Sequence, residues 1–430
     1  MSALTAQEPL APETKPLEPL PLTSPTQKAP FMRRPWLLAC SALFAIAWGG
    51  NHFTPLLHLY EVMFHYSVVA VDVFLGTYVA GLVPGLLLGG ALSDRHGRRP
   101  VVIAGVLLSA GASVVLAAGA ASGLALCVGR CLAGVSVGIG MSVGTSWVKE
   151  LSGQRFDPSL SPERRASAGA RRPALALTLG FGLGAGVAGS LAQWGPLPSV
   201  LPYAVHVLLA LASLALAVQV PESKPGVSAR PASLWEDLRV PLAGHRRFIR
   251  VVLPAAPWIF ATSGIGYAVI PLLEAPVVGQ WALAYATGLT VLTLGIGALV
   301  QPFVPRLDAL TRGRAGLAGL AAIFLGLLAA AANAVVLSPW LGAIAAALLG
   351  AAYGTCLVSG LGEVQSIASP EDLAGLTGVY YSISYLGFLL PIVLAGLAGF
   401  APYAVLLLGL AVVCLASLVA VARGLRTTAA

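Results

Sequence analysis

Gly90-Ala91-Leu92-Ser93-Asp94-Arg95-His96-Gly97-Arg98-Arg99 is a charged turn held between two long apolar runs, and its reading decides the fold. The run before it, residues 69–92, is apolar apart from Asp72, and the run after it, residues 101–121, has no charge at all. Each is close to the roughly 20 residues a helix needs to cross a bilayer. The same alternation continues in both directions. Twelve apolar runs follow one another, at about 36–57, 69–92, 101–121, 124–148, 173–193, 199–220, 251–273, 281–303, 315–337, 340–362, 373–397 and 401–423. Their continuous apolarity predicts helices and excludes a β-barrel, whose strands alternate in character.

Charge sorts these runs into a topology. Of the 25 Lys and Arg residues, all except Arg130 fall before the first run, in alternate gaps, in the long central gap or in the tail. Short basic loops stay on the cytoplasmic side, which predicts cytoplasmic termini and a multi-pass protein of the plasma (inner) membrane. The chain is 57% hydrophobic and only 10% charged, against about 25% charged in soluble domains. The net charge of +8 is dispersed over loops, which suits anionic lipid headgroups and argues against nucleic-acid binding. Cys40, Cys127, Cys131, Cys356 and Cys414 all lie inside apolar runs and imply no disulfide, metal or cofactor framework. Residues 1–31, rich in Pro and Thr and without an apolar core, are expected to be a disordered cytoplasmic tail rather than a signal peptide.

The polar stretch 221–250 divides the runs into halves of six, predicting bundles at 32–220 and 251–423 around a central loop, with a short tail at 424–430. Four echoes support duplication: Pro55-Leu56-Leu57 with Pro271-Leu272-Leu273, Gly90-Ala91-Leu92 with Gly297-Ala298-Leu299, the Glu150 exit with the Glu363 exit, and Leu179-Gly180-Phe181 with Leu386-Gly387-Phe388. On this alignment Gln301 stands near the position of Asp94. Parallel halves of this kind place a solute path between them near the midplane. In the central loop, Ser233 and Glu236 have capping-box spacing, consistent with a short surface helix or a plain turn.

The opening motif resembles the G-x-x-x-D-R-x-G-R-R/K signature of the major facilitator superfamily, with Gly90, Asp94, Arg95, Gly97, Arg98 and Arg99 all in place. The resemblance implies an all-α membrane protein of twelve helices in two pseudo-symmetric six-helix bundles. Physical roles fit the residue types. Gly90 allows close helix contact, Gly97 allows a turn with positive φ, and Asp94 can accept from Arg98 or from a helix N-terminus. Ser369-Pro370-Glu371-Asp372 has the form of such a terminus at the start of run eleven. A latch from Asp94, Arg98 and Arg99 to that terminus is one expectation; charge placed only to enforce topology is the other. Glu150 and Glu363 resemble acids that pair with loop arginines in sugar-porter-like members, or are solvated helix ends.

Arg130, followed by Gly134, Gly138 and Gly140, resembles the R-x-x-x-G element whose arginine the family associates with proton transfer. It is expected either to face the bundle interior with a partner or to snorkel to the interface. Many drug:proton antiporters of the family carry an acid in the first helix, where this chain has Asn51 and His52, and the Gly-Pro pair usual in helix five is missing after Gly184 and Gly186. His52 and His206 are proton carriers or hydrogen-bonded structural histidines. Asp72 pairs with Arg130 or is a solvated mouth residue, and Glu61 and Glu274 are expected at the same mouths.

The function expected from these features is secondary active transport by alternating access, with no enzymatic site, no metal and no cofactor. Asn51, His52, Arg130, Tyr267 and Tyr353 are the expected solute-binding residues, with Asp72, His52, His206 and Arg130 candidates for proton coupling. Apolar walls favour proton-coupled efflux of a drug-like or lipophilic metabolite by a monomer. Uptake of a sugar-like or organic-acid nutrient is the alternative, favoured if Arg130 serves as a counter-ion.

Overall fold

The computed structural model describes residues 34–158, 161–224, 241–368 and 373–428, and from Arg34 onward the chain packs as one unit. Among the described residues every element is helical. Among the same residues nine stretches are long and apolar enough to cross a membrane, one of which, Phe248–Leu310, turns back on itself at Gly279–Trp281. Ser233 to Glu236 and Ser369 to Asp372 lie outside the described residues, so the surface helix and the run-eleven end of the expected latch do too.

The first half contains α1 (Pro35–Asn51), α2 (Leu57–Phe64), α3 (Val68–His96), α4 (Arg98–Ala118), α5 (Gly123–Ile139), α6 (Thr145–Leu151), α7 (Pro162–Trp194) and α8 (Leu201–Ala217). The second contains α9 (Leu253–Gly264), α10 (Ile270–Val278), α11 (Ala282–Val300), α12 (Val304–Leu310), α13 (Ala315–Val336), α14 (Pro339–Ile367), α15 (Leu373–Tyr385), α16 (Leu390–Leu397) and α17 (Tyr403–Thr428). Several runs differ from the sequence expectation, run eleven by a 3₁₀ turn at Leu386–Leu389 and run seven by continuing to Val278. Run five begins eleven residues early, because α7 continues through Pro173 with the charged segment as its first turns. Run one breaks after Asn51 into a 3₁₀ turn at Thr54–Leu56 before α2.

Small residues bring backbones into contact, as lipid-embedded helices require when no hydrophobic force drives them together. On the α3–α5 seam a Cβ on Gly134 would stand 2.0 Å from the Tyr78 carbonyl oxygen, and one on Gly138 2.6 Å from that of Leu82. The α11–α14 seam repeats the pattern, with Gly350 at 2.3 Å from Thr293 O and Gly354 at 2.1 Å from Gly297 O. Tyr78 thus corresponds to Thr293, Leu82 to Gly297, and Gly134 to Gly350. The spacing of Gly134 and Gly350 also carries Gly97 (φ +95°) and Arg98 to Gly313 (φ +78°) and Arg314.

This register corrects two expectations. Gly297 answers to Leu82 and lies about two helical turns from the level of Gly90, and the second copy of the charged turn centres on Gly313, not near Gln301. The Gly180 and Gly387 echo holds in three dimensions: a Cβ on Gly180 would meet Phe44 O at 2.5 Å and one on Gly387 Pro257 O at 2.1 Å.

Candidate functional site

The charged turn is the centre of a polar network joining several loops at one end of the bundle. Arg98 Nη1 donates to Asp94 Oδ1 (3.2 Å) and Ser93 Oγ (2.9 Å), while its Nε donates to Glu150 Oε1 (3.2 Å). The start of the central loop folds back onto the turn. Glu222 accepts the first backbone N–H groups of α4, from Arg98 (3.0 Å) and Arg99 (2.9 Å), and so supplies the cap that Gly97 lacks. Ser223 Oγ donates to Glu150, Lys224 Nζ reaches Asp94 Oδ1 (3.1 Å), and an Arg99 guanidinium N–H donates to the Val218 carbonyl. Asp94 and Lys224 are about half exposed, so their pair contributes under about 1 kcal/mol.

Gly97 needs its positive φ, and a Cβ there would also lie 2.6 Å from Glu222 Oε2. Gly90 behaves differently from expectation, since nothing stands within 4 Å of where its Cβ would be. Arg95 lies half-buried on the last turn of α3. In the second half Arg247 holds Glu363 through two bonds, Nε to Oε2 (2.6 Å) and Nη2 to Oε1 (3.1 Å). That carboxylate holds the Arg247 guanidinium above the usual arginine range.

Deep in the first half, Arg130 is 1% exposed, which excludes snorkelling. Its guanidinium lies between the rings of Phe53 (4.7 Å) and Tyr78 (4.6 Å) and donates to Gly50 O (3.2 Å), while Nε has no partner. Among the described residues it pairs with no carboxylate, Asp72 included. Asp72 instead borders a gap of about 20 Å³ with Glu61, Thr54, Pro55, Tyr267 and Pro271, and is 7% exposed rather than solvated.

Around the arginine, His206 has both ring nitrogens engaged, with Ser113 Oγ at 2.7 Å and Ala45 O at 2.9 Å. His52 is fully buried, and neither of its nitrogens has a partner. Its ring lies 4.9 Å from His206 and 4.8 Å from Tyr203, whose hydroxyl meets that of Tyr60 at 2.6 Å. Asn51 is already used: Nδ2 donates to Phe181 O (3.0 Å) and Oδ1 accepts from Thr54 (2.7 Å), which stabilises the break after α1.

The two halves meet along an aromatic seam. Phe260 of α9 stacks on Tyr385 at 3.8 Å and on Phe388 at 5.1 Å, and Tyr78 of the first half approaches both of those rings. Tyr267 and Tyr353 join the cluster, at 6.1 Å from Phe388 and 5.7 Å from Phe260. Tyr385 also donates to Met141 Sδ (3.3 Å), within the π-helical turn Gly140–Gly144. A second π turn, Ile265–Val269, carries Tyr267, and such bulges mark functional levels in helices. At the end away from the charged network the halves close on α7 and α11, where a Cβ on Gly189 would stand 1.9 Å from Thr287 Oγ1 and Gln193 bonds to Gln280 and Ala284.

The structure therefore brings Arg130, His52 and His206 into one buried pocket and Tyr267 and Tyr353 into the adjoining seam. It leaves Asp72 at the far end of that seam. Sequence reasoning missed Phe53, Tyr78, Phe260, Tyr385 and Phe388, which as apolar-run aromatics gave no signal, and Glu222, whose signal was its place just after run six. Glu274, expected at a mouth, is fully buried.

A family model described as Major Facilitator Superfamily matches residues 37–390. Among solved structures the chain is similar to the nucleoside transporter NupG, at 14% identity and TM-score 0.70 over 91% of this chain and 99% of that one. It is similar to the POT family transporter PepTSo, at 14% identity and TM-score 0.68 over 93% and 99%. It is also similar to the human organic anion transporter MFSD10 (TETRAN), at 18% identity and TM-score 0.64 over 91% and 100%. At these identities the likeness is one of fold. No curated protein matches the sequence.

Proposed function

The chain belongs to the Major Facilitator Superfamily, a multi-pass membrane transporter of small solutes and not an enzyme, and from that premise we propose proton-coupled efflux of a lipophilic organic solute by alternating access. The observation that carries this reading is the aromatic seam. Phe260, Tyr267, Tyr353, Tyr385 and Phe388 offer stacking area with few fixed hydrogen-bond partners, the lining that suits an apolar or aromatic body. A sugar needs several aimed donors and acceptors. A solute lipophilic enough for such walls leaks across a bilayer, and a carrier that keeps it out of the cell must drive it outward against that leak.

Expulsion against a gradient needs a coupling ion, which we take to be a proton; His52, buried without a fixed partner, is its first-half carrier, charged only when the opened seam lets water reach the ring. His206, with both nitrogens satisfied, serves as a structural neighbour. The halves at 32–220 and 251–423 then rock about the seam in the plasma (inner) membrane, as a monomer with cytoplasmic termini. Gly90, Asp94, Arg95, Gly97, Arg98, Arg99, Glu150 and Glu363 form the cytoplasmic gate region.

Uptake of an organic acid is the second reading, favoured by the absence of a carboxylate partner for Arg130. Proteoliposome flux of ethidium, fluorescein and glucose, with and without a pH gradient, separates them. Efflux predicts gradient-driven movement of an aromatic dye and none of glucose. Inward movement of fluorescein alone supports the second reading, and glucose movement refutes both.

A further inference from the structure

Glu274 lies on α10, fully buried, and bonds to Asn333 of α13 rather than to any ring of the aromatic seam. Its Oε1 accepts from Asn333 Nδ2 of α13 at 2.7 Å, while Oε2 is buried with no partner. The pocket around it is tightly built. Asn333 Oδ1 accepts from Ser338 N (3.3 Å), Tyr285 of α11 donates to Pro339 O (2.7 Å), and a Cβ on Gly342 of α14 would strike Tyr285 Oη at 2.6 Å and sit 3.3 Å from Asn333 Nδ2. Tyr285 is the titratable side chain facing Glu274; α13 contributes Asn333 and α14 contributes Gly342, neither of which titrates.

Among the described residues no cation pairs with this carboxyl. Residues 251–305 and 315–422 contain no Lys or Arg. An ionised carboxylate with one covered oxygen unpaired carries a desolvation cost, and a metal ion would find too few oxygens, with no metal-holding cluster among the described residues. A carboxylic acid matches the geometry. Its carbonyl oxygen takes the Asn333 N–H, and its O–H is the group at Oε2.

We propose that Glu274 is a proton-binding site of the second half, separate from the His52 pocket, which releases its proton to water when α10 moves off Asn333. The element is placed to do so. It hangs between the π turn Ile265–Val269 and Gly279 (φ +54°), and its first turn borders the gap shared with Thr54 and Pro55 of the other half. Opening that end of the seam pulls α10 away, breaks the Asn333 bond and lets water reach Oε2; closing it reverses the transfer. The coupling role rests on the alternating-access reading above, whereas the proton site does not.

The test is infrared difference spectroscopy of the full chain in liposomes across a pH titration. The wild type should lose a protonated-carboxyl C=O band as pH rises. Glu274→Gln should lack that band, and Asn333→Val should keep it at higher frequency because the carbonyl has lost its donor. A band that persists unchanged in Glu274→Gln overturns the proposal. In dye flux, Glu274→Gln should retain downhill exchange and lose accumulation driven by a pH gradient; full accumulation in this variant overturns the coupling role. If wild-type flux ignores the gradient, proton-coupled efflux fails as the function, and the infrared band still decides whether Glu274 holds a proton.

Discussion

Gly97→Ala should destabilise the protein through two separable effects. The backbone at Gly97, φ +95° and ψ 166°, lies in a region open essentially to glycine alone, so a side chain there costs about 1–3 kcal/mol in strain. The new Cβ would also stand 2.6 Å from Glu222 Oε2. Relief to ordinary contact pushes the carboxylate back by nearly 1 Å, enough to break its 2.9 and 3.0 Å bonds to the first N–H groups of α4. Loss of that cap costs a further 0.5–2 kcal/mol or about that. The expected total is about 1.5–5 kcal/mol. Reversible denaturation in mixed micelles measures it, and Glu222→Ala provides the second arm of a double-mutant cycle. In the Glu222→Ala background, Gly97→Ala should cost only the strain portion. A change within about 0.5 kcal/mol in the wild-type background, or an equal cost in both backgrounds, refutes the account of this junction.

Other perturbations address the transport core. Arg130→Met removes a charge-assisted bond to Gly50 O and two ring contacts; flux should fall by about 10- to 100-fold, from the roughly 1.5–3 kcal/mol such bonds carry, with thermal stability kept or raised because a buried charge is gone. Gly189→Val cannot fit against Thr287, so maleimide labelling of a cysteine placed at Gln193 should quicken as that end opens. Arg247→Glu and Glu363→Arg should each slow dye flux, and the double exchange should recover most of the loss, since the pair is bidentate; no recovery would show that the two side chains act separately.

The layout of the membrane helices was legible because lipid allows few alternatives. Apolar runs must be helical to satisfy their backbones, and the arginines sort the loops. Arg130 stood out because a charge inside such a run is rare. Other features depended on where helices meet. Phe260, Tyr385 and Phe388 look like any lipid-facing aromatic until α9, α15 and the turn after it converge. Glu274 reads as a mouth residue because run seven ends at residue 273, yet the helix extends to Val278 and the carboxyl is covered by its neighbours. Glu222 was grouped with a linker, although its bond to α4 makes it part of the first half. The motif position of Gly90 does not reveal that nothing packs against it.

The glycine seams between α3 and α5 and between α11 and α14 have a bearing on how new specificity arises. Where main chain rests on main chain, any added carbon separates the helices, so these joints offer evolution almost no room for variation. The ring cluster between the halves is held by side chains alone, and exchanging one aromatic for another there alters the chamber without loosening either block. Adaptation to unfamiliar compounds should therefore accumulate at Phe260, Tyr353, Tyr385 and Phe388 and spare the glycines, a bias that laboratory evolution under toxin pressure would record directly.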